Sequence, residues 1–349
     1  MAGASPPSPV PELEALSRAR LLVEPALRQT VGQLHPSLRR ICEYAFGWCE
    51  VDGSPTLSGG GKLLRPGLCV LAAESVGGRP DAAVPGAVAA ELLHAFSLVH
   101  DDIMDGDELR RHRPTVWKAF GIGPAVLSGD AMLALAMSTV ADVSGDCGRT
   151  AQRALARTLE ELVRGQAEDL AFEERSWVGP DAVTVSEYLA MANAKTGALL
   201  GCASAMGAAL AGAPGYVVEA LDHFGRDLGL CFQVVDDILG IWGHPEITGK
   251  PIFSDLIRGK KTLPVLMALA ADSCASTPIA ELLQRDRLPG GLSRDAACLI
   301  EEAGGRAEAQ DTARRYLQDA LCHLRSARLT GSSVVELADL AISMLDRAK

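Results

Sequence analysis

Aromatic residues are scarce in this 349-residue chain, where 7 Phe, 4 Tyr and 4 Trp amount to 4%. Ala and Leu dominate the 48% apolar content, a mixture that favours helix over strand, so the expected class is all-α. Basic blocks are missing as well. The formal charge of −11 excludes a general nucleic-acid binder, which needs clustered cations to neutralise a phosphate backbone. An acidic chain that takes a diphosphate must add divalent metal and a few well-placed Arg and Lys residues. No C-x-x-C pair occurs. The cysteines stand singly (Cys42, Cys49, Cys69, Cys147, Cys202, Cys231, Cys274, Cys298, Cys322), which points to buried reduced thiols rather than disulfides or zinc. The first residues lack the basic and apolar regions of a signal peptide, and no run of about 20 uncharged apolar residues is present. The expectation is a soluble, cytoplasmic protein that does not span a membrane.

The length allows one large domain or two smaller ones. Residues 1–10, MAGASPPSPV, are too rich in Pro and Ser to join a core and read as a tail, either a plain extension or a docking peptide for an unknown partner. From Pro11 apolar residues recur at helical intervals, interrupted by Gly- and Pro-rich joints such as Gly77-Gly78-Arg79-Pro80 and Gly212-Ala213-Pro214. Helices are expected at about 11–31, 36–47, 63–76, 82–105, 115–120, 125–144, 149–171, 185–211, 215–242, 255–272, 294–303, 306–327 and 332–347. No linker of domain-boundary character appears, so residues 11–349 are expected to form a single large helical bundle around a central cavity.

Two aspartate pairs sit in this helical sequence, Asp101-Asp102-Ile103-Met104-Asp105 and Asp236-Asp237-Ile238-Leu239-Gly240. Residues four apart share a helix face with Cβ atoms roughly 6 Å apart, so Asp101 and Asp105 can reach one group of ions. Mg²⁺ takes few protein carboxylates and completes its shell with water and phosphate oxygens, so a sparse clamp implies a phosphorylated ligand. His94 lies on the same stripe, seven residues before Asp101. The apolar run AVAAELLHAFSLVH ahead of the motif argues for a cavity wall rather than an acidic surface. In the second pair Gly240 stands where a third carboxylate would complete the symmetry.

The run DDIMDGDELRRHRPT resembles the first Asp-rich motif of trans-isoprenyl diphosphate synthases, the polyprenyl synthetase family, with its paired arginines. The resemblance extends in order and spacing over roughly 35–330. GGGKLLRP at 59–66 is similar to the family's isopentenyl diphosphate site, Gly165-Gln166 and Lys195-Thr196 to its Gly-Gln and Lys-Thr elements, and FQVVDDILG with TGKPIFSDLIRGKKT to its second Asp region.

The resemblance implies that Gly61, Lys62, Arg65, His94 and Arg111 bind isopentenyl diphosphate, and that Arg110 turns to the allylic diphosphate. Lys195, Lys250 and Lys260 would add charge to that leaving group, beside Gln166. It implies Mg²⁺, three ions per site, on Asp101, Asp105 and Asp236, with Asp102 and Asp237 in supporting or occasional contact. Thr196, Gln233 and the carbonyls near Lys195 would steady a carbocation; Phe232 is either a π face for that cation or core packing. Chain length would be set by Phe96 and Ser97 below the first motif: a small residue at 97 over an aromatic at 96 resembles C20 synthases. A homodimer is also implied. Gly240 would weaken the third metal contact, and His244, where relatives are often acidic, would either lower the negative charge at the cavity mouth or be a loop histidine without a role. The alternatives are a farnesyl diphosphate synthase, a terpene cyclase, which needs no Lys62/Arg65/His94/Arg111 site, and a non-catalytic regulatory subunit, which would tolerate loss of Asp105 or Lys195.

Overall fold

The protein is described by a computed structural model over residues 14–56, 63–245, 251–271, 273–284 and 290–346. Around its centre run α3 (Leu64–Ser75), α4 (Val84–Met104), α9 (Ala198–Leu210) and α10 (Gly215–Trp242). Every residue of α9 from Ala198 to Ala209 is buried, and its Ala, Gly and Ser side chains are short enough for α3 and α10 to pack closely on either side. Outside this centre lie α1 (Glu14–Val31), α2 (Pro36–Ala45), α5 (Val116–Phe120), α6 (Ile122–Ala141), α7 (Gly145–Glu174) and α8 (Val185–Ala192). The C-terminal part adds α11 (Ser254–Ile257), α12 (Leu263–Ala270), α13 (Ser276–Leu283), α14 (Gly290–Glu302), α15 (Gly305–Ser326) and α16 (Ser332–Asp346). One large apolar core joins most of these helices, and a smaller one around Ile241, Leu256, Val265, Ile279 and Ile300 lies beneath α11–α14. The all-α bundle expected from composition is the fold.

Several local expectations are corrected. The helix expected at 255–272 is broken: Gly259 takes φ +67° after α11, and Pro264 in the first turn of α12 restarts the helix where a missing N–H costs nothing. Helix α13 was not foreseen. The helix expected over 185–211 is interrupted by a π turn, Asn193–Gly197, which carries Lys195 and Thr196. Between α4 and α5 the chain forms a small hairpin, β1 (Leu109–Arg110) paired antiparallel with β2 (Arg113–Pro114). The nine cysteines are free as expected, but Cys274, Cys298 and Cys322 are exposed rather than buried. Two helical stretches, Pro80–Met104 and Ile122–Ala141, are long and apolar enough to cross a membrane by length and composition, though each carries charge, Asp130 in the second; the first is mostly buried in the bundle core and the second one-third buried. The tail at 1–10 lies outside the described residues.

Candidate active site

Three cavities meet around the C-terminal end of α4. The first, about 360 Å³, is polar and lies between α4, α7 and α10 under α11. Asp101 and Asp105 face it from α4, Asp236 from α10, and Asp169 and Glu173 from α7. Lysines are interleaved among these acids. Lys195 Nζ sits 2.7 Å from Asp169 Oδ2 and 3.8 Å from Asp101 Oδ2, and Lys260 Nζ lies 3.7 Å from Asp105 Oδ2. Arg258 closes the rim with a 2.7 Å contact to Asp107. Burial lifts the Asp101 carboxyl to about 6, with Lys195 working against the rise. Burial also opposes charge on Lys195, but Asp101 and Asp169 together hold its pKa above the ordinary lysine value.

The second member of each aspartate pair stands behind the wall. Asp102 is 3% exposed and is clamped by Arg110, whose Nε reaches its two oxygens at 2.9 and 3.1 Å and whose Nη2 reaches Oδ1 at 2.7 Å. Asp237, 4% exposed, accepts hydrogen bonds from the Tyr188 hydroxyl, from Gln233 Nε2 at 3.0 Å and from the Leu263 amide at 2.9 Å. Burial raises this carboxyl to about 7. Both were grouped with the metal carboxylates on sequence grounds, and both have their oxygens engaged by protein donors.

Arg110 ends β1 and lines both the first and the second cavity, while Arg111 and His112 form the turn with φ of +51° and +63°. Non-glycine residues rarely adopt this region, and Leu63 (+48°) and Phe253 (+64°), each heading a segment beside the site, do so as well. Arg111 thereby enters the second cavity, about 210 Å³, together with Arg110, Arg113, Glu91, His94 and Tyr44. Burial drives the His94 imidazole well below its usual value, and the Arg65 and Arg111 charges add to the effect, so the ring is neutral. Arg65 lines the third cavity beside His94; it is pushed down to about 10 by burial, Glu91 opposing, and its Nε is buried without a partner. A polyanion bound in the second cavity would meet the Arg111 charge.

The third cavity, about 460 Å³, is apolar and runs from Asp101 along α4 past Ser97 to Phe96. Leu162, Val163, Leu199 and Phe232 complete its walls, and Lys195, Thr196 and Gln233 separate it from the first cavity. Thr196 Oγ1 donates to Gln233 Oε1 at 2.9 Å. The side-chain oxygen and nitrogen of Gln166 are buried here without partners. Phe96 packs edge-on against His100, ring centroids 4.7 Å apart, and His100 Nε2 lies 3.2 Å from the Val126 carbonyl. Gly165 lets α7 press against the π turn, since a Cβ there would come within 2.7 Å of the Lys195 amide nitrogen.

Most predicted residues are therefore brought together. Gly61, Lys62 and Lys250 lie outside the described residues. Sequence reading missed Asp169, Glu173, Glu91, Tyr188 and Arg258. The signal for two of these was present: Asp169 and Glu173 follow Gly165-Gln166 at helical spacing and so share the face that the motif presents.

An acidic cavity laced with lysines, opening onto an apolar one at the end of an α-bundle, is the arrangement of an enzyme that moves an apolar group off a polyanionic leaving group. The polyprenyl synthetase family profile matches residues 51–290. The chain is 45% identical over 339 residues to the (2E,6E)-farnesyl diphosphate synthase of Mycobacterium tuberculosis, covering 96% of this chain and 93% of that protein. It is 41% identical over 317 residues to the geranylgeranyl diphosphate synthase of the same organism, covering 89% and 88%. The crystal structure of a polyprenyl synthetase from Streptomyces coelicolor A3(2) superposes with a TM-score of 0.87 at 43% identity over 96% of this chain and 98% of that one. The chain belongs to the polyprenyl synthetase family, and it is a transferase of prenyl groups.

Proposed function

We propose that the protein condenses isopentenyl diphosphate with an allylic diphosphate and that its main product is the C20 chain, geranylgeranyl diphosphate. The observation that carries the reading is the junction of the three cavities. The acidic cavity suits the allylic diphosphate with Mg²⁺, the arginine-lined one suits isopentenyl diphosphate, and the apolar one suits the growing chain.

The residues present fit Mg²⁺. Asp101 and Asp105 carry carboxylates in loose contact with lysines, and Asp101 is a half-buried acid whose charge a cation would relieve. Among the described residues no three His, Cys, Asp or Glu side chains converge into a ready-made cage. That suits an ion which keeps water and substrate oxygens in much of its shell. When bound at Asp101, Asp105 and Asp236, Mg²⁺ supplies neutralisation of the departing diphosphate. Lys195, Lys260 and Arg110 hold that diphosphate from the protein side. The C–O bond of the allylic substrate breaks with its electron pair leaving on diphosphate. The allylic carbon is then attacked by the isopentenyl double bond, presented from the Arg65, His94 and Arg111 side, and a proton from the new cation passes to the released diphosphate. The apolar walls exclude water meanwhile, and Thr196 and Gln233 place their oxygen dipoles beside the reacting carbon.

Product length rests on Phe96 as floor, with Ser97 leaving room above it. A C15 product is the second reading, favoured by the 45% identity to a farnesyl diphosphate synthase and by the His100 brace behind Phe96. A homodimer is part of the proposal: apolar α6 leaves Ile122, Val126 and Leu127 exposed beside the site, a face suited to a second copy. Incubation with Mg²⁺, isopentenyl diphosphate and, separately, C5, C10 and C15 allylic diphosphates, read by product mass, tests the whole. No elongated product from any primer would sink the enzymatic reading, and a predominant C15 product would sink the length assignment alone. Phe96→Ala should lengthen the product, and unchanged length removes Phe96 as floor.

A further inference from the structure

The hairpin that carries Arg111 is only two residue pairs long, and its turn is made of residues that disfavour positive φ. It needs anchors from outside. Arg110 supplies one through its clamp on Asp102 of α4. The residue paired with Arg110 across the hairpin is Arg113, and it reaches towards α2 instead. Arg113 Nη2 donates to the Cys49 carbonyl at 2.7 Å and lies 3.4 Å from Glu50 Oε2, while Nη1 lies 3.5 Å from the Tyr44 carbonyl. The guanidinium also stacks over the Tyr44 ring, 4.3 Å from its centroid. Tyr44 completes the tie. Its hydroxyl donates to the Pro114 carbonyl at 2.7 Å, and its ring meets Phe120 of α5 edge-on. One planar cation thus joins the end of α2, and the segment that follows it, to the hairpin. Both parts line the second cavity, Tyr44 and Phe46 from the first and Arg111, Arg113 and Pro114 from the second.

We propose that Arg113 is a positioning residue of the second cavity: it holds the hairpin against the end of α2 and so fixes Arg111 where isopentenyl diphosphate is bound. This rests on the reading of that cavity as the isopentenyl diphosphate site. Charge alone does not do the work. The contacts use a donor fork and a flat face at once, one towards a backbone carbonyl and the other towards a ring, and lysine cannot supply both together. The first cavity is left undisturbed, because Asp101, Asp105 and Asp236 stand on α4 and α10 and Arg110 keeps its own clamp on Asp102.

Steady-state kinetics with Mg²⁺, isopentenyl diphosphate and the allylic primer that the parent elongates fastest separates the two substrates, in variants whose helical circular dichroism matches the parent. Arg113→Met should raise KM for isopentenyl diphosphate about tenfold, while kcat and KM for the allylic primer stay within about twofold of the parent. Arg113→Lys, which keeps the charge, should leave that KM at least about fivefold above the parent. Tyr44→Leu, which removes the stacking ring, should raise it about fivefold, and the double variant Tyr44→Leu with Arg113→Met should do no worse than Arg113→Met alone, because the two side chains act as one unit. Full recovery in Arg113→Lys means a charge acting on the substrate itself and overturns the positioning role. So does a double variant whose rise is the product of the single ones, an equal rise in both KM values, or an isopentenyl diphosphate KM within about twofold of the parent in Arg113→Met. A parent enzyme that elongates none of the C5, C10 and C15 primers overturns instead the reading of the cavity.

Discussion

The two aspartate segments look alike in sequence and are supported differently. On α4 the cavity-facing pair Asp101 and Asp105 comes from one helix, and the middle residue, Asp102, is neutralised by a full charge on Arg110. On α10 Asp236 is followed by glycine, and the middle residue, Asp237, is held by the hydroxyl, amide and backbone donors of Tyr188, Gln233 and Leu263. One segment is an ion-paired unit set by a hairpin. The other is a hydrogen-bonded unit set by α8 and the start of α12. A charged partner gives a stronger but salt-sensitive brace, and neutral donors give a weaker one that salt does not reach.

That contrast can be broken at several points. The largest effect is expected at the first segment's cavity face: Asp101→Ala should lower turnover about a thousandfold or more while the helical circular dichroism stays intact. A small loss would mean that the second segment carries the diphosphate. Next comes removal of the brace behind each middle aspartate, measured by denaturant unfolding of the ligand-free protein. Arg110→Ala should cost about 2–3 kcal/mol, less than a fully buried pair because the Arg110 side chain is 38% exposed, and the deficit should shrink as salt is raised. Tyr188→Phe should cost about 1–2 kcal/mol with little salt dependence. Equal losses with equal salt response would erase the distinction. The smallest effect is expected at the base of α8, where Thr184 and Glu187 form a reciprocal capping box. Thr184→Ala should cost about 1 kcal/mol and loosen the Tyr188 side alone. Arg175 and the Thr184 amide and hydroxyl lower the Glu187 carboxyl to about 2, so its share of the cap persists above 4.5 and fades as pH falls from there towards 2. Melting curves across that range, for the parent and Glu187→Gln, check the direction.

Much of the helical frame was legible because its cause is local. The expected helix at 215–242 coincides with α10, since an apolar stripe of period 3.6 bounded by Pro214 and Gly243 needs no distant information. The break at Gly259 and the π turn at Asn193–Gly197 were not legible. The first depends on where α11 packs against α10, and the second on how closely Gly165 lets α7 approach. The hairpin at 109–114 was hidden because Arg111 and His112 are poor residues for a turn that needs positive φ. In the site, Asp101, Asp105, Lys195 and Gln233 were readable from motif spacing, whereas Tyr188 and Arg258 act through contacts with Asp237 and Asp107, 49 and 151 positions away in number.

By itself the sequence determined the helical class, the carboxylate-and-lysine chemistry and the family, because propensity, periodicity and motif order are properties of neighbours along the chain. Tertiary structure alone decided which carboxylates face the cavity and which are tied behind it, since the direction of a side chain and the space around it are fixed by helices that meet only after folding.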